Sequence, residues 1–271
     1  MIKLFTMVKN EKDIIKDWII YHGSLFGFEN LYIIDNYSTD GTYEELLLFK
    51  NINIIRKNNY NKKGKYITQL IAEKCQLDDF AYPIDMDEFI VYYNKDNKTI
   101  SVDKNKIISY FKSLPDHRVY KTNYIQTQIT SLNGYSRAAA EVEFGIYNDY
   151  GENAKSFIKK KLFNEFIIDH GNHISCSDYY LTNLCLVHYH CRNIKQMKQK
   201  IYDNVSGLGY PVNDVSLLKN IITTKPTCIG NHHIKHQINV LENTYVFPFA
   251  DYHESFIDLS LLKNRIIGGY F

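Results

Sequence analysis

Cysteine is sparse in this chain of 271 residues. The five present, Cys75, Cys176, Cys185, Cys191 and Cys228, form an odd and scattered set without a C-x-x-C. That excludes a disulfide framework and makes a reducing compartment the expected one. An excess of either charge is also lacking. Lys and Arg total 32 against 30 Asp and Glu, a net charge of +2, so no global field draws the chain to nucleic acid. The run Lys159-Lys160-Lys161 reads as a solvated face. Apolar stretches are short, and none approaches the roughly 18 to 20 residues of a membrane span. Met1 to Val8 runs straight into polar Lys9-Asn10-Glu11, too short an apolar segment for a signal peptide and better read as a first buried strand. A soluble, cytoplasmic protein is the expectation.

What is present suffices for one large α/β domain, or a core with a small appendage. Hydrophobic residues make up 45% and charged residues 23%, the balance of an ordinary globular protein. Tyrosine reaches 23 beside many Ile, Asn and Lys, a set that AT-rich coding favours. Aromatic faces suit sugar stacking, but the count by itself assigns no function.

The first third alternates strand and helix. Ile2 to Val8 is the first strand, and Asn10 is placed to cap the helix that follows. In that helix Ile14, Ile15, Trp18, Ile19 and His22 form one stripe. Leu31 to Ile34 is a short buried strand, followed by the polar turn Asp35 to Gly41. Thr42 with Glu45 fits a capping box. Ile52 to Ile55 is the next strand, Asn58 to Lys65 a basic loop, Tyr66 to Lys74 a helix, and Phe80 to Ile84 a strand leading into Asp85. This order implies a mainly parallel central sheet with helices on both faces. Ligands of such sheets bind at the carboxyl ends of the strands, where Asp35 and Asp85 sit. Further on, Phe89 to Tyr93 continues as strand and Asp103 to Ser113 as helix. Residues 119 to 187 read as strands and long loops. The tail is mostly helical, with one helix from Asn193 to Tyr202 and a segment capped by Asn231. Residues 196–271 are thus expected as a helical C-terminal extension packed on a 1–195 domain.

Asp85-Met86-Asp87-Glu88 carries the clearest chemistry. In extended geometry residues i and i+2 point the same way, so Asp85 and Asp87 can face one site. Two such carboxylates suit Mg²⁺ or Mn²⁺, with phosphates completing the shell. Alone, the tripeptide reads equally well as two solvated acids at a strand end. Cys185 to Cys191 spells C-x-x-H-x-x-C, a possible zinc pattern. On a strand, however, His188 and His190 face one side while Cys185 and Cys191 face the other, so four ligands cannot converge. A buried strand ending in a functional His188 fits better. His232 and His236 share a helix face, but without evident partner acids a partly exposed histidine pair is the plainer reading.

Three blocks, in order, give these residues context. Met7-Val8-Lys9-Asn10-Glu11, Trp18-Ile19-Ile20-Tyr21-His22 and Ile33 to Thr42 closely resemble the start of glycosyltransferase family 2-like proteins, nearest a branch with W-x-x-x-H in its first helix. Ile84-Asp85-Met86-Asp87-Glu88-Phe89 is similar to that branch's D-x-D-E-F, and Leu186 to Arg192 to its later H-Y motif. The resemblance spans residues 7 to about 192. It implies an α/β fold of GT-A type, Rossmann-like and three-layered, with a mainly parallel central sheet plus the helical C-terminal segment. It also implies transfer of a sugar from a nucleotide-sugar donor, most often a UDP-sugar, to an acceptor hydroxyl with inversion, assisted by Mn²⁺ or Mg²⁺. Residue by residue, Val8, Asn10, Glu11 and Asp35 would line the nucleoside pocket. Asp87 would bind the metal, Asp85 would reach the metal or the ribose, and His188 would complete the metal site. Lys155 and Lys159 resemble a basic position suited to a diphosphate.

The general base is less defined. A hydroxyl needs one at neutral pH, and Glu141, Glu143, Asp149, Asp169 and Asp178 compete. Glu143 precedes Phe144-Gly145, and Asp169 lies in the ionisable cluster Asp169-His170-Gly171-Asn172-His173, so these two are favoured. The acceptor, whether glycan, protein or small molecule, is not specified. Two other readings share the same carboxylates: a phosphohydrolase or nucleotidyltransferase, and a non-catalytic module that binds a nucleotide sugar or glycan.

Overall fold

The computed structural model describes residues 1–129, 131, 134–162, 167–246 and 256–269. The N-terminal elements are β1 (Ile2–Val8), α1 (Ile15–Phe26), β2 (Leu31–Asp35), α2 (Thr42–Leu47), β3 (Asn53–Arg56), α3 (Lys63–Lys74) and β4 (Phe80–Pro83). They alternate as their periodicity predicts. β3, β2, β1 and β4 lie side by side in that order, every pair parallel. Strand side chains alternate between faces, and β1 divides its residues accordingly. Leu4 and Val8 pack with Trp18 and Ile19 of α1, whereas Phe5 and Met7 pack with Ile67 and Ile71 of α3. β2 repeats the division, with Leu31 and Ile33 on the α1 side and Tyr32 and Ile34 on the other. Burial on both faces is why this strand reads as a continuous apolar run.

The sheet then extends through β5 (Glu88–Asn94), β6 (Thr99–Ser101), β7 (Tyr120–Thr127), β8 (Phe144–Asn148), β9 (Lys155–Lys159) and β10 (Tyr180–His188), with α4 (Lys104–Ser113) and α5 (Ala138–Glu141) between them. From β4 the order runs β9-β7-β10-β5-β6, antiparallel except for the parallel pair β7 and β10. α6 (Ile194–Gly207), α7 (Val215–Thr224) and α8 (Asn231–Leu241) share a small core of Val205, Leu218, Ile234 and Ile238. Asn193 and Asp214 cap the first two, their side chains accepting from the Gln196 and Leu217 amides. β11 (Ile257–Asp258) and α9 (Ser260–Gly268) return to the main core through Ile257, Leu262 and Ile266. The architecture is the expected α/β class, with helices on both faces of a parallel β3-β2-β1-β4 core and a helical C-terminal segment. Among the described residues, no helix is long and apolar enough to cross a membrane.

Trp18 and His22, one turn apart on α1, support the strand that follows the two aspartates. Trp18 Nε1 donates to the Glu88 carbonyl at 3.0 Å and the Tyr21 hydroxyl to the Ile90 carbonyl at 2.6 Å. The Ile90 amide donates to His22 Nε2 at 3.2 Å, so the His22 proton sits on Nδ1, which donates to the Trp18 carbonyl at 3.1 Å. β6 pairs only with Tyr92 to Asn94, and these side chains satisfy the backbone it leaves open. Burial pushes the His22 pKa down to about 3, so its imidazole is neutral.

Three capping expectations change. At α8 the cap is Gly230, at φ 74°, and Asn231 is the first helical residue. Asn10 has φ 57° and caps nothing. Its Oδ1 accepts from the Thr39 amide at 2.9 Å and its amide donates to Asp203 at 2.8 Å. Thr42 is the first residue of α2 and not its cap; Gly41, at φ 98°, takes that place. The Thr42 hydroxyl accepts from the Glu11 amide at 2.9 Å and donates to Asp40. Both side chains stitch the loops at the ends of β1 and β2 together, and that tertiary demand outweighs local capping.

Candidate active site

The carboxyl ends of β1 and β4 open onto one cleft. Val8, Asn10, Glu11, Asp85, Asp87 and His188 line it, with Lys200 and Asp203 of α6 on the opposite wall. β4 stops at Pro83, and the Ile84 amide still donates to the Phe5 carbonyl at 3.0 Å. The chain then turns through Asp85 to Asp87 before β5 begins.

Asp85 is enclosed by cations. Lys63 Nζ lies 2.5 Å from Oδ1 and Lys155 Nζ 2.8 Å from Oδ2, while the Asn172 amide donates to Oδ1 at 2.9 Å. Lys155 also reaches Glu88 at 3.0 Å, and Glu88 accepts from the Asp85 amide at 2.7 Å. Burial alone would raise the Asp85 pKa, but Lys155 and Lys63 outweigh it and hold the carboxyl far below the usual range. Both lysines are 2% exposed, whereas Asp85 itself is 32% exposed and presents to the cleft a carboxylate already bound by two buried cations.

Asp87, only 2% exposed, has different company. His188 Nε2 is 3.6 Å from Oδ1, Arg192 is 3.7 Å from Oδ2, and the Lys200 ammonium bonds Oδ2. Ligand atoms of Asp87, His188 and His190 all lie within 4.8 Å of one another. Burial would raise the Asp87 pKa, but Lys200 and then His188 keep it ionised. Burial, aided by Lys200, drives the His190 pKa well down, leaving a neutral imidazole. His188 Nδ1 is buried without a hydrogen-bond partner among the described residues. One carboxylate and two imidazoles are a donor set that fits a divalent cation.

Arg192 is wholly buried and ties the wall together. Its guanidinium bonds Asp13 at 2.7 Å, the Tyr189 carbonyl at 3.0 Å and the Glu11 carboxylate. Glu11 thus faces both Arg192 and, at 3.8 Å, Lys200.

Other expected residues lie elsewhere. Asp35 is fully buried, accepting from the Ser38 amide at 3.1 Å and pairing with Arg56 at 3.0 Å. Arg56 lies over the Tyr37 and Tyr43 rings at 4.4 and 4.0 Å. The adjacent Asn36, not Asp35, lines the cleft. Glu143 is outside the cleft lining and pairs with Lys263 at 2.6 Å. The Asp169 carboxylate accepts from the His173 amide at 2.7 Å and faces a different depression, although its neighbours His170 and Gly171 line the cleft. Lys159 pairs with Asp116 at 3.0 Å, away from Lys155.

Lys63, His190, Lys200 and Asp203 escape the sequence reading. Lys63 opens α3, where Gly64 and the basic run obscure the helix start in the sequence. Gly64 is needed there, since a Cβ at that position would lie 2.0 Å from the Ile168 carbonyl. His190 had a signal, because it shares strand parity with His188. So did α6: Lys200, Asp203, Asn204 and Gly207 fall at i, i+3, i+4 and i+7 and all line the cleft.

Fold and cleft define an α/β protein with a cation-compatible site at the carboxyl end of its parallel strands. No protein-family model and no curated protein sequence matches the chain. Among solved structures it is similar to glucosyl-3-phosphoglycerate synthase from Mycobacterium tuberculosis in complex with Mn²⁺ and uridine-diphosphate-glucose, at 13% identity, covering 78% of this chain and 80% of that chain, with a TM-score of 0.43. It is also similar to S. aureus TarS, at 10% identity over 90% of this chain and 43% of that chain, with a TM-score of 0.41.

Proposed function

We propose that the chain is a metal-dependent glycosyltransferase that moves a sugar from a nucleotide-sugar donor, a UDP-sugar, to an acceptor hydroxyl with inversion. The observation that carries this reading is the convergence of Asp87, His188 and His190 at the strand ends, beside a cleft walled by lysines. These three residues would hold Mn²⁺ or Mg²⁺, and the two imidazoles favour Mn²⁺. Bound there, the ion would act as a Lewis acid toward a diphosphate leaving group. Val8, Asn10, Glu11 and Asn36 would form the nucleoside side of the cleft. In this reading Asp85 orders Lys63, Lys155 and the 169–172 loop around the donor and does not itself hold the metal. Of the two carboxylates favoured as base, Asp169 is supported by its neighbours in the cleft wall, and Glu143 is not.

The test is to incubate the protein with a panel of nucleotide sugars and Mn²⁺ and follow release of the nucleoside diphosphate. The expected result is slow donor hydrolysis that stops with chelator and with Asp87→Ala. Donor binding without turnover would favour a non-catalytic module. Turnover indifferent to both chelator and Asp87→Ala would overturn the metal assignment, and release of products other than a nucleoside diphosphate would favour a phosphohydrolase or nucleotidyltransferase.

A further inference from the structure

Lys200 sits where a cation on Asp87 would have to sit. Its ammonium bonds Asp87 Oδ2 and lies 3.8 Å from Glu11 Oε1. Its side chain is 20% exposed and lines the cleft, whereas Lys63 and Lys155, locked on Asp85, are 2% exposed. A divalent ion shared by Asp87, His188 and His190 would bring like charges within a few ångströms of each other, and a mobile four-carbon stem offers relief. Arg192 cannot move aside in the same way, because Asp13, Glu11 and the Tyr189 carbonyl hold its guanidinium.

We propose that Lys200 is the resident counter-ion of Asp87 in the metal-free protein, that the metal displaces it, and that the released ammonium takes up the donor's diphosphate. The inference rests on the metal site proposed above. It makes Lys200 a positioning residue that couples two ligands. Lys200 weakens the metal when nucleotide is absent and strengthens the nucleotide once metal is present, and linkage requires both effects to appear in one cycle.

The experiment is calorimetric titration of Mn²⁺ and of UDP, each with and without the other, into the wild type, Lys200→Met, Lys200→Gln and Asp87→Asn proteins, with a thermal melt of each. Both Lys200 variants are expected to bind Mn²⁺ alone about tenfold tighter, as for loss of one partly buried competing charge. The factor by which Mn²⁺ tightens UDP should fall by about the same amount, and Asp87→Asn should bind little Mn²⁺. Unchanged or weaker Mn²⁺ binding in both Lys200 variants overturns the role of Lys200 and leaves the metal site standing. No Mn²⁺ binding by any of the proteins, with or without UDP, overturns both.

Discussion

The two sides of the cleft differ although Asp85 and Asp87 are separated by one residue. On one side a carboxylate is saturated by Lys63, Lys155 and Asn172, all deep in the structure. On the other, a carboxylate bonds Lys200, lies 3.7 Å from Arg192 and faces two imidazoles. Both halves of the D-x-D are held ionised by neighbouring cations, but by different ones: two buried lysines at Asp85, and Lys200 with His188 at Asp87. Full satisfaction makes Asp85 a framework group that joins α3, β9 and the 169–172 loop. In the reading proposed above, Asp87, beside His188 and His190, is the half that accepts the metal.

The comparison can be broken first on the lysine side. Lys155→Met would leave Asp85 and Glu88 short of a buried partner, and urea unfolding is expected to show a loss of about 3–5 kcal/mol. Added Mn²⁺ should recover little of it. A variant as stable as the wild type would mean that Asp85 is no framework group. On the histidine side, Asp87→Ala is expected to lower donor turnover on the order of a thousandfold, with a smaller change in unfolding free energy than Lys155→Met. The reverse ranking would exchange the roles of the two carboxylates.

A third prediction concerns pH and lies behind both sides, at His22. Its folded-state pKa of about 3 is below the ordinary value, so above about pH 6.5 neither the folded nor the unfolded form carries the proton and the residue has no pH effect. As pH falls from there toward 3, the unfolded chain takes up a proton that the folded one refuses, and stability is lost, about 2 kcal/mol by pH 5. Denaturant midpoints measured across this range should fall less steeply in His22→Gln. Equal slopes would show that His22 is not held neutral. The smallest effect is expected at the clasp between Asn10 and Asp203, 2.8 Å long. Asn10→Ala should cost about 1 kcal/mol in a thermal or denaturant melt, and a loss several times larger would make the clasp part of the framework.

The parallel half of the fold was legible because each of its signals is local. β2 is a short apolar run and α1 an amphipathic stripe, and their alternation dictates a parallel sheet. The resemblance singled out Asp87 and His188, and coordinates were needed to place His190 beside them. The network around Asp85 was not legible. Lys63, Lys155 and Asn172 come from three separate elements, and a buried lysine looks like a surface lysine in sequence until its partner is known. Asn10 and Thr42 were misread as caps because their hydrogen bonds run between loops far apart in the chain. The α6 wall carries a polar stripe, but polar residues at helical spacing look the same in sequence whether they face solvent or a cleft.

Arg192 has a consequence in time as well as in space. It reaches Asp13 and Glu11 across 179 and 181 residues, and Lys200 reaches Asp87 across 113. During synthesis the β1 to β4 core can therefore collapse long before the counter-charges for its acidic rim emerge. Contacts of such separation close late and slowly. The cleft end is expected to be the last part of the molecule to mature. A chain halted near residue 180 should hold a formed parallel sheet whose Glu11, Asp13 and Asp87 still await their cations.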